Sequence, residues 1–428
     1  MIKFSTASAA ACLIVAMAGG QVSAAGLTGN VAIWSWNTGA SSLKAVIPGF
    51  NAGEPDVAVT MEDLNSDQIF EKVQASCAAG GVGLPDIVSL QGAQAKSIFS
   101  QYPDCFVDLR ALGYTDEVQS GFPEFKRAEL EANGVPYAMP WDTGPVVVFY
   151  RRDFYEEAGV DPATIKTWDD FIAAGLKVAE ANPGVVMTQG NLNGDSEWFN
   201  MIANEQGCGY FSPDGQSISI TQPGCVAALD ALKSMVDAGV LTAAAWDEKL
   251  QSIKAGTVAS QVYGGWYEGG IRSAAPEQSG EWGVYEMPSL TADGRHAANL
   301  GGSALAIPSA SANKEAAYGY LTYALGTNAG QVTMLKEFGL VPSLISALDD
   351  PYVSQGQEYW GGQAVWSDIL ATLPRIVPNT TTAFQNDAES VYRATQTRYL
   401  NGEFPDAKTA LDDAANQIAG ASGLPIAP

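Results

Sequence analysis

The sequence predicts an α/β protein in two lobes, each a doubly wound sheet flanked by helices. Three observations lead there. The chain has 428 residues, 46% of them hydrophobic, which is more than one ordinary domain core accommodates. Its N-terminal part alternates strand-like and helix-like patterns. The stretch Tyr137 to Phe171 reads as a crossing between lobes: a loop presents Trp141 and Asp142, a continuous apolar strand runs from Val146 to Tyr150, and a new helix follows.

Met1 to Ala25 reads as a secretory signal. Lys3 supplies a positive start, Ala9 to Gly19 is apolar but too short to span a bilayer, and Val22-Ser23-Ala24 resembles a cleavage site. Cys12 within it has no lipobox around it. Asn30 to Trp36 is the first strand. Leu43, Val46, Ile47 and Phe50 then fall on one face of a helix. Val57, Val59 and Met61 alternate as a second strand. Ser66 is the expected cap of a helix that turns Phe70, Val73 and Cys77 inward, and Pro85 to Val88 is a short buried strand. Strands alternating with helices imply parallel pairing with right-handed crossovers. Ligands on such sheets bind beyond the carboxyl ends of the strands, here Trp36-Asn37-Thr38, Ser89 to Gly92 and Trp141-Asp142.

Beyond the crossing, Gly159 stops one helix and Thr167 caps the next, Trp168 to Ala181. Further helices are expected at Ser196 to Gln206, Val226 to Ala238 and Trp246 to Ala255, the last two closed by Gly239 and Gly256. Tyr210 to Thr221 reads as a hairpin around Asp214-Gly215. Val258 to Tyr263, Trp282 to Met287 and Ala304 to Ile307 are strands. Lys314 to Phe338 is a long helical region, and the remainder is largely helical around a Trp-bearing insertion, Tyr359 to Trp366. Outside the signal lie Cys77, Cys105, Cys208 and Cys225. Proximity favours Cys77–Cys105 and Cys208–Cys225 among the three connectivities, each stabilising by roughly 3 kcal/mol. No Cys or His spacing fits zinc, so no metal is expected.

This succession resembles the extracellular solute-binding proteins of carbohydrate-type ABC importers, the maltose-binding-protein-like family. The residues that carry the resemblance are Val148-Phe149-Tyr150, Phe154-Tyr155, Gly159-Val160, Pro162 and Thr167-Trp168-Asp169 with Phe171. Gly264-Gly265-Trp266, Gly301 to Ile307, Asn313 to Tyr318 and Gly339-Leu340-Val341-Pro342-Ser343 follow in the same order. Arg151 departs from the pattern, which usually has Asn there. The resemblance implies the two-lobed periplasmic binding protein fold with a multi-strand hinge, crossing near 140–145, 288–303 and 338–345. Residues 1–24 would be the signal peptide, 26–142 with 296–342 the N-terminal lobe, and 143–295 with 343–428 the C-terminal lobe. It also implies a monomer in the periplasm that takes a carbohydrate, partners the transmembrane permease subunits of an importer, and needs no cofactor.

A net charge of −25 argues against nucleic acid, whose phosphates would be repelled. Sugars offer flat apolar ring faces and rings of hydroxyls, so their sites need aromatic plates beside planar polar groups. The expected ligand-binding set is Trp36, Asn37, Gln91, Asp142, Trp198, Gly265, Trp266, Tyr267, Glu268, Gly302, Trp360 and Arg375, with Asn193 and Asp195 as further contributors. Trp141 beside its turn is also assigned to the cleft, whereas Trp34, Trp168 and Trp282 read equally well as core.

Asp142 and Glu268 could instead form a glycosidase acid–base pair. Ser-His-Asp chemistry is excluded by a single histidine, His296 in a turn, and by the lack of G-x-S-x-G. Gly80 to Gly83 does not follow a strand and open a helix, so it is no phosphate loop. Asn191 to Asp195 lacks the distal Glu of a calcium loop. Arg375 reads either as an anion-binding group or as a structural salt bridge, and a phosphodiester cargo would need Arg375 or Arg151 in the cleft.

Overall fold

The structure, a computed structural model, describes residues 26–428. The expected signal sequence lies outside the described residues. The first lobe is built on β1 (Gly29–Ser35), α1 (Asn37–Gly53), β2 (Val57–Asp63), α2 (Ser66–Ala78), β3 (Ile87–Gln91) and α3 (Gly92–Gln101). β2, β1 and β3 are parallel neighbours, as the alternating pattern implies. Asn65, not Ser66, caps α2: its side chain accepts from the Asp67 N–H at 2.8 Å, and Gln68 reaches back to the Asn65 N–H. The helix α3 is not among the elements expected from the sequence, although its Ala95, Ile98 and Phe99 fall on one buried face.

The chain crosses through β4 (Ala138–Pro140) and β5 (Asp142–Thr143) into β6 (Val146–Arg151), the fully buried central strand of the second lobe. α4 (Trp168–Ala181) starts at Thr167 with a capping box closed by Asp170. α5 (Glu197–Glu205), α6 (Trp246–Ala255), β7 (Ser260–Gly264), α7 (Tyr267–Ala274) and β8 (Trp282–Glu286) follow. β7 and β8 flank β6, and both run antiparallel to it. Parallel pairing in this lobe is confined to the short ladder Thr188–Gly190 with Leu241–Ala243 and to isolated bridges.

β9 (Ser303–Ala306) then returns to the first lobe and inserts between β3 and β4, antiparallel to both. The helical region after it is two helices, α8 (Lys314–Gly326) and α9 (Asn328–Phe338), because Thr327 is extended and its hydroxyl caps α9. β10 (Val341–Pro342) pairs with β5. Three segments therefore run side by side between the lobes, tied by Trp141 N–H to Ser303 O (2.9 Å), Leu300 N–H to Gly144 O (2.7 Å) and Ser343 N–H to Trp141 O (3.3 Å). Gly301 and Gly302 both have positive φ, 79° and 91°, which lets the chain turn tightly into β9. Finally α10 (Gln385–Leu400) and α11 (Ala407–Ser422) pack on the second lobe.

Separate apolar clusters fill the two lobes. Val31, Ile33, Leu43, Phe50, Leu305 and Tyr320 belong to the first lobe, and Phe149, Trp168, Phe199, Leu229, Trp282 and Trp360 to the second. Trp266 is packed against both. The disulfides Cys77–Cys105 and Cys208–Cys225 form as expected, with Cα separations of 5.4 and 5.6 Å. Among the described residues no helix is long and apolar enough to cross a membrane.

Candidate ligand-binding cleft

The floor of the junction lies at the end of β3 and the starts of β5 and β9. Gly92 N–H donates to Gly302 O at 3.1 Å, and Ser303 N–H donates to Asp142 Oδ1 at 2.7 Å. Beneath lies Lys126, wholly buried, its Nζ 2.7 Å from Glu129 Oε2. A Cβ at Gly302 would sit 2.8 Å from that ammonium, so glycine makes the room it occupies. Burial pushes the Asp142 carboxyl up to about 6, opposed by Lys126 and the Ser303 N–H.

One wall is aromatic. The Trp266 indole N–H donates to Leu300 O at 2.8 Å, which seats the ring on the crossing segment. Trp246 stacks beside it, centroids 6.1 Å apart and planes 24° apart, with 41% of its surface exposed. Tyr263 lies edge-on to Trp266 at 5.2 Å.

Next to this wall is a polar cluster. The Tyr263 hydroxyl donates to Glu197 Oε2. Lys249 Nζ is 3.2 Å from the same hydroxyl, 3.9 Å from Glu197 Oε2 and 4.3 Å from the Tyr263 ring centre. Lys249 is buried, while Glu197 keeps 28% of its side chain open. Desolvation first, then repulsion from Asp195, pushes the Glu197 carboxyl up to about 7, against the pull of Lys249 and Tyr263. Burial holds the Lys249 ammonium below the usual lysine range. In such an arrangement a partly open carboxylate accepts from a sugar hydroxyl, and the aromatic plate covers an apolar ring face.

The expected site residues divide. Asp142 and Gly302 meet at the floor, and Trp266 forms the wall. Gln91 is exposed at the end of β3, and Trp36 and Asn37 stand at the start of α1, where Asn37 has φ 43° and its N–H donates to Asp63. Asp195 is half-buried beside Glu197, and Asn193 is exposed nearby. Gly265 packs against Val341 and Ile369. Four others are interior. Tyr267 lies in the aromatic cluster, Trp198 packs on Trp168, and Trp360 packs on Phe149 at 5.4 Å. Glu268 is buried, accepting from the Trp360 indole N–H at 2.9 Å and pairing with Arg272. Trp141 is interior too, its N–H directed at Met334 Sδ. Trp360 stands before Gly361-Gly362, and Trp141 and Trp198 stand beside a loop or a helix start, but neighbours distant in sequence cover all three.

Arg375 forms the salt bridge: Nη2 is 2.6 Å from Glu286 Oε1, and Nη1 donates to Arg295 O. Arg151 is paired with Asp153 and Glu281. Lys126, Glu197, Trp246, Lys249 and Tyr263 were missed. The one available signal was the position of Tyr263 just before Gly264-Gly265-Trp266.

Residues 34–331 match the family described as Bacterial extracellular solute-binding protein. The chain belongs to this family. Among curated relatives of this solute-binding protein, the Lactose-binding protein of Rhizobium radiobacter is 30% identical over 92% of this chain and 94% of its own. The Arabinooligosaccharide-binding protein of Bacillus subtilis is 27% identical over 82% of each. Among solved structures, the GacH receptor of Streptomyces glaucescens superposes with a TM-score of 0.78 at 20% identity, covering 92% of this chain and 98% of that one. The ABC transporter associated binding protein of B. animalis subsp. lactis, solved with beta-1,6-galactobiose, gives 0.77 at 22% identity, covering 94% and 100%. The structural likeness establishes the two-lobed fold.

Proposed function

We propose that this solute-binding protein is the periplasmic capture component of a carbohydrate ABC importer. It closes its lobes on a neutral sugar or short oligosaccharide and delivers it to the membrane permease. The observation that carries the reading is the Trp246–Trp266 wall beside the half-open Glu197 carboxylate, at the junction of the lobes. The names of the curated relatives support it. The N-terminal lobe comprises 26–142 and 296–342, the C-terminal lobe 143–295 and 343–428, and the protein acts as a monomer. Ligand binds the closed arrangement better and shifts the population toward it.

In this reading the protein performs no reaction. Asp142 is held by the Ser303 N–H, and Glu268 by Trp360 and Arg272, so neither is free to serve as an acid–base pair. A phosphodiester cargo is disfavoured because Arg375 and Arg151 are both occupied by carboxylates. The test is thermal melting of the signal-free protein against neutral mono- and disaccharides, arabino-oligosaccharides, polyols and glycerol phosphodiesters. The bound compound is then recovered and weighed by mass spectrometry. A shift with a neutral sugar recovered intact is expected. A shift confined to anionic compounds, or a hydrolysed sugar, would overturn the reading.

A further inference from the structure

Away from the crossing strands, the lobes touch a second time. Ser97 and Gln101 sit one turn apart on α3 of the first lobe. Ser97 Oγ donates to the Ala383 carbonyl at 3.0 Å, Gln101 Nε2 donates to the same oxygen at 3.1 Å, and Gln101 Nε2 also reaches Ser97 Oγ at 3.1 Å. The segment that carries Ala383 is fastened to the second lobe. Asn204 donates to Val377 O, and Thr380 donates to Pro213 O. One carbonyl therefore accepts from two side chains of the other lobe, with both of its lone pairs used.

The position gives the contact a consequence. α3 begins at Gly92, on the floor, so Ser97 lies about 7 Å along the helix from it. On the other side, α10 starts two residues after Ala383. Its Glu389 accepts from Ser196 Oγ at 2.8 Å, immediately before Glu197. The contact thus joins the helix that opens from the floor to the helix that braces the polar cluster.

We infer that Ser97 and Gln101 are a latch: they bind the Ala383 carbonyl when the lobes close and hold the cleft shut on its cargo. They are positioning residues and touch no ligand themselves. A ligand enters the open arrangement, in which the latch is unmade, and leaves only after it breaks. Losing the latch therefore lowers the closed population and speeds escape while leaving encounter unchanged. The dissociation arm of the test rests on the proposed sugar cargo, and the scattering arm does not.

The experiment compares the parent with Ser97→Ala/Gln101→Ala, with Gln101→Ala alone and with Gln101→Glu, whose carboxylate would face the Ala383 carbonyl. Lactose and arabinotriose are the probes, read by stopped-flow tryptophan fluorescence. Dissociation is expected to be about tenfold faster in the double alanine variant, with association within about twofold of the parent. The effect of Gln101→Glu should exceed that of Gln101→Ala. Melting of the ligand-free variants should stay within about 2 °C of the parent, because each lobe keeps its own core, which separates a latch from a contact on which folding depends. Small-angle scattering of the ligand-free chains should give a larger radius of gyration for the double variant. Unchanged dissociation overturns the latch. If neither probe binds, the cargo assignment fails separately, and equal radii then overturn the latch.

Discussion

Trp246 and Trp266 lie nearly parallel, with centroids 6.1 Å apart, although one opens a helix and the other follows a strand. Trp266 is fixed by its bond to Leu300 O, whereas the outer face of Trp246 is open. Trp246→Ala should weaken sugar binding about tenfold or more, from lost ring contact. Because Trp246 is exposed, melting of the ligand-free protein should stay within about 2 °C. Calorimetric titration and a melting curve check both halves.

In the proposed site Glu197 should make binding depend on pH. Burial and the nearby Asp195 push its carboxyl up to about 7, and the ionised form is the better acceptor for a sugar hydroxyl. Affinity should therefore fall as pH drops from 8 to 6, and Glu197→Gln should flatten the profile. Folding runs the opposite way. A carboxyl raised in the native state binds its proton more tightly there than in the unfolded chain. The stability it withholds is lost as pH rises from the ordinary carboxylate range through about 7. Asp195, Glu389 and Lys249 are the charges facing it, so the profile belongs to the cluster. Binding and melting measured across that range should show slopes of opposite sign.

Lys126 and Glu129 form a buried pair. Lys126→Met alone leaves an uncompensated buried carboxylate and should cost about 3–5 kcal/mol. Adding Glu129→Leu should recover most of that loss. Denaturant unfolding of the three proteins gives the comparison.

Arg375 pairs with Glu286 where both side chains are well exposed. Arg375→Ala should change stability by no more than about 1 kcal/mol and leave sugar affinity unaltered. A large loss of affinity would place Arg375 in the site.

Local patterns were readable from the residues, and long-range pairings were not. Asn30 to Trp36, the alternation of Val57, Val59 and Met61, and Pro85 to Val88 mark the parallel strands because alternation and apolar runs are properties of a strand alone. That β9 would insert between β3 and β4 depends on segments far apart in the chain. The second lobe shows the same limit, since nothing within Ser260–Gly264 dictates its antiparallel pairing with β6. Trp246 and Trp360 illustrate it at the site. Both stand beside breaks in regular structure, yet Trp360 is covered by Phe149 and Glu268 while Trp246 stays open. Lys126 sits in the charged run Glu124 to Glu129, which reads as a solvated face. Only the missing side chains of Gly92 and Gly302 make its burial feasible.

The most direct measurement is calorimetric titration of lactose and arabinotriose into the signal-free parent, Trp246→Ala and Glu197→Gln at pH 8. Saturable one-to-one binding of at least one sugar by the parent, weakened about tenfold or more in both variants, is the predicted result. A parent that binds neither sugar, or binding left intact by both substitutions, would contradict the cleft described above.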